Sequence, residues 1–398
     1  MRARLIAILL LCAVPSGLAA QGLPQSSFEV YGFAMMDAGY NADQIQADWY
    51  DVIRTTKLSA FDGQFAPDGN AYFSVRQSRF GVRSSTPTSV GELKTQFEWE
   101  LFGTGVDAGQ TTLRLRHAYG ELGPVGAGQT WSPFMDIDVF PNTVEYWGPP
   151  GMAFFRNIQV RWMPIKGDTR LTFALERPGA SADQGDYAGR IELQDVRAKF
   201  PLPDLSAEYR LGRPWGYVEL AGIVRRMEWE DLNADQFDLS GDALGWGLNL
   251  SSNLKFGTND VVRLSAVVGE GIENYMNDAP ADVGIENRPG TGPVEGVALP
   301  LLGLVAFLDH TWSKRASTSI GYSSIDIDNS AGQSDDAFSI GHYAIGNLMF
   351  YPAPGLMSGI ELQWGRRENF RDDFQADIFK VQFSFKYNFS QKFGGTEP

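Results

Sequence analysis

His117, His310 and His342 are the only imidazoles in this 398-residue chain, so any acid–base or metal chemistry would have to begin with them. None follows a Gly-x-Ser-x-Gly nucleophile elbow, none sits in a His-Glu-x-x-His helix, and none has metal-ligand spacing. His117 lies on the apolar phase of its segment, and His310 and His342 sit within Leu308-Asp309-His310-Thr311-Trp312 and Ile340-Gly341-His342-Tyr343. Asp326, Asp328, Asp335 and Asp336 carry oxygens that suit calcium, but solvated loop acids explain them more simply. No glycine loop built to cradle phosphate precedes a helix. The expectation is no catalytic residue, no metal, no cofactor and no enzyme.

What the residue types do support is charge recognition. Arg79, Arg83, Arg114, Arg116, Arg161 and Arg170 fall on the polar phases of alternating segments, and so do Glu92, Glu98 and Glu100. A guanidinium is a planar fork that matches a carboxylate, so these arginines could greet small anions or pair with acids on neighbouring strands. A further charged set, Asp136, Asp138 and Glu145, lies in the segment 131–156 beside Trp147 and Gly148-Pro149-Pro150-Gly151.

Such charges need elements that hold them on one face, and the period of the chain supplies these. Glu92, Lys94, Gln96, Glu98 and Glu100 alternate with Leu93, Thr95, Phe97, Trp99 and Leu101. A face of three carboxylates and a lysine cannot be a dry core, so one side meets water and the other meets lipid or core. Near the C-terminus, Val381, Phe383, Phe385, Tyr387 and Phe389 alternate with Lys380, Gln382, Ser384, Lys386 and Asn388. Sixteen such segments are expected: 28–40, 71–84, 91–102, 111–122, 125–131, 156–164, 168–177, 204–211, 215–229, 242–256, 259–271, 299–313, 316–327, 336–351, 355–368 and 377–389. Many match the roughly 9–11 residues of a membrane-spanning strand.

The connections alternate in length. Gly123-Pro124, Arg213-Pro214, Gly257-Thr258, Lys314-Arg315, 165–167 and 352–354 are tight turns, whereas 41–70, 132–155, 178–203 and 272–298 are long and polar or rich in Gly, Pro, Asp and Asn. Short turns on one rim and long loops on the other describe a transmembrane antiparallel β-barrel. Lipid offers no hydrogen-bond partner, so the first and last strands must pair. Tyr31, Tyr40, Trp131, Trp162, Trp215, Trp312 and Tyr351 lie near strand ends and suit interfacial girdles. The fold class is all-β, a barrel of about sixteen strands with the segment 131–156 folded into the lumen as a constriction loop, the alternative being an external loop that solvates its acids. Its acids would then form one side of a transverse field and the six arginines and three glutamates would line the pore.

The N-terminus supports export. A basic stretch Met1–Arg4, an apolar run Leu5–Val14 and the small residues Gly17, Ala19 and Ala20 read as a signal peptide over 1–20, leaving 21–398 as the barrel domain. Leu11 before Cys12 is too large for lipoprotein processing, and removal of Cys12 would leave no thiol. The formal charge of −15 would become about −17 on losing Arg2 and Arg4, which argues against nucleic acid as a partner.

Particular motifs carry a family resemblance. Val30-Tyr31-Gly32-Phe33-Ala34-Met35-Met36-Asp37 and Gln77-Ser78-Arg79-Phe80-Gly81-Val82-Arg83 resemble the opening strands of Gram-negative porins. Gly128-Gln129-Thr130-Trp131-Ser132-Pro133-Phe134-Met135-Asp136, Gly148-Pro149-Pro150 and Gly269-Glu270-Gly271-Ile272-Glu273-Asn274-Tyr275 look like the DcaP-like family of trimeric porins, over essentially the whole mature chain. The resemblance implies a homotrimer in the outer membrane, a constriction loop, and passive diffusion of small solutes with a leaning toward dicarboxylates. Its partners would be the lipid bilayer, lipopolysaccharide, the assembly machinery and small solutes. Two departures stand out. Founding members carry an N-terminal periplasmic coiled coil, for which there is no room here, and the chain runs past Phe389 and Phe393 to Pro398, so that either phenylalanine could end the barrel. Rival readings are a non-conducting structural or adhesion barrel and an exported glycan-binding sandwich.

Overall fold

Alternating side chains and paired backbones produce one closed sheet. The computed structural model describes residues 26–287 and 294–394; the signal-peptide, Cys12 and coiled-coil expectations lie outside them. Its strands are β1 (Ser27–Asn41), β2 (Asn70–Ser74 continued by Arg79–Thr88), β3 (Gly91–Phe102), β4 (Thr111–Leu122), β5 (Val125–Trp131), β6 (Arg156–Ile165), β7 (Arg170–Glu176) and β8 (Val196–Lys199 continued by Asp204–Arg213). They continue as β9 (Gly216–Asp231), β10 (Gly241–Phe256), β11 (Asp260–Glu270), β12 (Pro300–Ser313), β13 (Ala316–Ile327), β14 (Phe338–Phe350), β15 (Leu356–Asn369) and β16 (Gln375–Gly394). Neighbours in the chain pair antiparallel, and β1 pairs with β16 from Ser27↔Gly394 to Asn41↔Lys380. A sixteen-stranded barrel results, with no edge left open to lipid.

The differences from expectation are local. β2 leaves the ladder at 75–78, where Arg76 turns inward to meet Asp51 at 2.5 Å. β8 begins earlier than 204, because Val196–Lys199 already pairs with the upper end of β9. β16 does not stop at Phe389; it runs to Gly394, and the ring of Phe393 lies 6.3 Å from that of Phe28. The loop 271–299 carries its own hairpin, Val283–Asn287 with Val294–Ala298.

Outward faces are apolar: on β10, Leu244, Trp246, Leu248 and Leu250 are exposed, while Asn249 and Ser251 on the opposite phase are buried inside. Trp162, Trp215, Trp312 and Tyr40 are exposed as a girdle residue must be. Tyr31, Trp131 and Tyr351 are not girdle residues. Tyr31 donates to Glu98 within the lumen (2.9 Å), Trp131 lines the central cavity, and Tyr351 reaches Ser317 and the loop residue Asn142.

The barrel is partly filled. The loops 42–69 and 132–155 and the segment 271–287 fold inward onto the walls of β9–β15, where Phe134, Met135, Ile272, Tyr275 and Met276 pack with Leu301, Ile325 and Ile327. A second cluster joins Ile53, Leu58, Val139 and Met152 to Val305, Phe307, Tyr343 and Ile345. Burying this apolar surface at about 25 cal/mol per Å² holds the loops in.

Candidate functional site

The loop 132–155 is positioned by hydrogen bonds from the barrel wall to loop backbone and side chains. The Glu361 carboxylate on β15 accepts from the backbone amides of Val144 (3.0 Å) and Glu145 (3.1 Å). Gln77 and Gln382 donate to the Val144 carbonyl at 2.9 and 3.1 Å. Further along, Gly151 lies flush on β12 and β13: a Cβ there would sit 2.1 Å from the Ser324 carbonyl oxygen and 2.5 Å from the Leu304 nitrogen. Only glycine permits that approach. Gly148 has φ +83° and faces the Phe140 ring.

The loop acids are anchors. Asp136 is fully buried, accepting from Arg210 (2.5 Å), Tyr217 (2.6 Å) and Ser251 (2.7 Å). Glu145 accepts from the Ile53 amide (3.1 Å) and the Gly148 amide, tying the first inward loop to the second. Burial pushes its carboxyl up to about 7. Asp138 alone is half exposed, paired with Arg210 at 2.5 Å. The expected acidic side of a transverse field is therefore corrected for Asp136 and Glu145: a buried carboxylate needs donors, and these find them in the wall and in loop backbone.

The basic set divides. Arg79, Arg114 and Arg116 come together on β2 and β4 around Glu98 and Glu100 of β3. Arg116 binds both acids (2.7 and 2.6 Å), Arg114 binds Glu100, and Arg79 lies 3.6 Å from Glu98. Arg156, first residue of β6, joins them 3.9 Å from Glu100. Four guanidiniums thus face two carboxylates, an excess of positive charge. Arg83 is elsewhere, exposed at the turn rim and bound to Glu29 (2.7 Å), and Glu92 stands near that rim beside Lys94 (3.4 Å). Arg161 donates to Gln159 (2.9 Å), and Arg170 pairs with Glu208 (3.2 Å) and Glu219 (2.8 Å), apart from the arginine cluster.

His117 departs from its expected phase. The β3–β4 register shifts so that Glu98 pairs with His117 and Trp99 with Leu115, and the bulge turns both Arg116 and His117 inward. His117 bonds Thr130 at 3.0 Å and meets the Trp131 ring edge-on.

These residues surround an open cavity of about 1190 Å³. Its other side is the first inward loop, where Arg54 is held between the rings of Trp49 (4.3 Å) and Trp147 (4.2 Å) and pairs with Asp278 of the loop 271–299 at 2.9 Å. Arg54, Lys57, Arg156 and Lys386 line the cavity without having been singled out from sequence. Lys386 was visible on the polar phase of its strand; Arg54 and Lys57 lie in a non-periodic loop, which carried no signal of an inward fold. Such a site can admit, orient and pass a small charged solute. Among the described residues, no group of three or more His, Asp or Glu is placed to hold a metal.

A closed sixteen-stranded barrel with short turns on one rim, inward-folded loops and a charged lumen has the architecture of an outer-membrane porin. The DcaP outer membrane protein family matches residues 22–389, and the chain belongs to that family. No curated sequence matches it. Among solved structures, the outer membrane channel DcaP of Acinetobacter baumannii is similar at TM-score 0.75 and 18% identity, covering 92% of this chain and 97% of that one. An anion-selective porin from Comamonas acidovorans follows at 0.57 and 10%, covering 92% and 100%. The trimer form of OmpT from Vibrio cholerae stands at 0.55 and 11%, covering 92% and 99%.

Proposed function

We propose that the chain is a passive porin of a Gram-negative outer membrane, reached after cleavage of the signal peptide, that admits small hydrophilic solutes and favours anions, small dicarboxylates among them. The observation that carries this is the cavity wall: Arg79, Arg114, Arg116 and Arg156 outnumber Glu98 and Glu100, and two of the three acids of the inward loop, Asp136 and Glu145, are buried. Fixed charges lining a pore bias which ions pass. The anion selectivity named for the Comamonas porin agrees with this reading, and the trimer form of OmpT supports a homotrimer. The bilayer, lipopolysaccharide and the assembly machinery are the partners such a barrel would meet, with no nucleic acid and no catalytic step.

The test is single-channel recording of the purified protein, with reversal potentials in a salt gradient and succinate as blocker. Three-step closures, anion preference and succinate block are expected. A silent, detergent-stable protein would instead favour the non-conducting structural barrel, a reading to which the three inward loops lend some weight.

A further inference from the structure

The central cavity does not end at the arginine cluster. A second open space of about 600 Å³ lies against the short turns 314–315 and 352–355, on the rim where both ends of the barrel chain meet. The two spaces share two lining residues, Thr143 of the inward loop and Lys386 of β16. Above this pair the cavity reaches the outer loops at Asp48, Gly105 and Ala279; below it, the second space is bordered by Lys314 and Arg315. Thr143 and Lys386 therefore border both spaces, one opening toward the outer loops and the other toward the short turns.

Lys386 differs from every arginine of the central cluster. Those are bound to Glu98 or Glu100, whereas the Lys386 ammonium makes no hydrogen bond or ion pair among the described residues and rests 4.0 Å from the centre of the Phe33 ring. The charges that act on it are Arg79 and Asp37, and the Asp37 carboxylate is already engaged by Gln77 (2.9 Å) and Ser384 (2.5 Å). An ion-paired guanidinium spends most of its field on its partner; an unpaired ammonium at a neck presents its field to the solute.

We infer that the passage between Thr143 and Lys386 is the narrow point of the channel, and that Lys386, with its single unpaired charge, sets the ion preference there. This rests on the porin reading of the chain. It also assigns the arginine cluster a smaller share of selectivity than its number of charges suggests.

The test uses the full mature chain in planar bilayers, with Lys386→Glu, Lys386→Cys and Thr143→Trp, and with Lys166→Gln as a rim comparison. Lys386→Glu should lower the anion-to-cation permeability ratio roughly fivefold or more, as a reversed charge at a constriction does, while Lys166→Gln, at an exposed turn bound to Glu121, shifts it little. In Lys386→Cys channels that are already conducting, a positively charged methanethiosulfonate should restore anion preference and a negatively charged one should abolish it, which removes folding as an explanation. Thr143→Trp should cut conductance at least severalfold. If the reagents modify the cysteine without changing the ratio, or Thr143→Trp conducts as the wild type does, the inference is overturned. A wild-type channel without anion preference would fail the proposed function, whereas unchanged selectivity in the Lys386 variants of an anion-preferring channel would fail only this assignment.

Discussion

The walls β1–β6 and β12–β15 show lipid the same outward pattern but differ completely inside. On β2–β4 the inner face is ionic, with Arg79, Arg114 and Arg116 around Glu98 and Glu100, and it borders water. On β12–β14 the inner face is mostly apolar, with Leu301, Val305, Phe307, Ile325, Tyr343 and Ile345 buried under the inward loops. One half of the barrel works as a conduit and the other as a dock. A strand with two dry faces should be apolar in both phases, and Leu299-Pro300-Leu301-Leu302-Gly303-Leu304-Val305-Ala306-Phe307-Leu308 is such a run. The barrel is thus a single sheet asked to do two jobs, and the inner residues of each strand record which one it has.

Breaking the dock should have the largest effect. Gly151→Val puts a side chain where the Ser324 carbonyl stands, so the loop must lift off β12 and β13; single-channel conductance is expected to rise severalfold, and a loop that stays seated would show no change. Asp136→Ala would strip Arg210 and Tyr217 of a buried partner, a loss of roughly 3–5 kcal/mol for a broken buried pair, lessened because Arg210 keeps Glu219 at 2.6 Å. Its measure is the denaturant midpoint of the refolded barrel.

Changing the conduit should alter selectivity more than stability of the dock. Arg114→Ala with Arg116→Ala leaves Glu100 facing Arg79 and Arg156 only, and the anion-to-cation ratio is expected to fall about two- to threefold. Unchanged reversal potentials would remove these arginines from selectivity. Arg54→Ala frees the rings of Trp49 and Trp147 and breaks the tie to Asp278; more frequent brief closures or openings in current records would mark the loosened loop.

The smallest effect concerns pH. Burial disfavours the Glu145 charge and pushes its carboxyl up to about 7 in the folded barrel, against about 4.3 for an unperturbed glutamate. A raised carboxyl favours the packed loop below the unfolded value, and that stability is lost as pH rises through about 7. Protease resistance of the loop 132–155 should therefore decline between about pH 4.5 and 7.5, and Glu145→Gln should flatten the curve. A wild-type curve that is flat over this window would contradict the assignment.

Much of the barrel was legible because lipid imposes a strict period. Thirteen of the strands lie close to the expected segments; β2 and β8 differ where the chain leaves the ladder and resumes it, and β16 runs five residues further, to Gly394. The arginine cluster was partly legible for the same reason: Arg79, Arg114 and Arg116 lie on polar phases and do meet. Arg83, Arg161 and Arg170 share that phase but stand at other heights or on other parts of the wall, and alternation carries no information about height.

The sequence alone determined the alternating lipid-facing and inward phases of most strands and that the sheet must close, since an unpaired backbone edge or a misplaced charge has no remedy in hydrocarbon. It also determined that 131–156 would be a loop rich in Gly, Pro and acids. Only the tertiary structure decided that three loops fold inward, that Asp136 and Glu145 become anchors, that a bulge turns His117 around, and that Arg54, Arg156 and Lys386 join the cavity. These outcomes depend on contacts between residues far apart in the chain, where shape and hydrogen-bond partners, which have no period, select the arrangement.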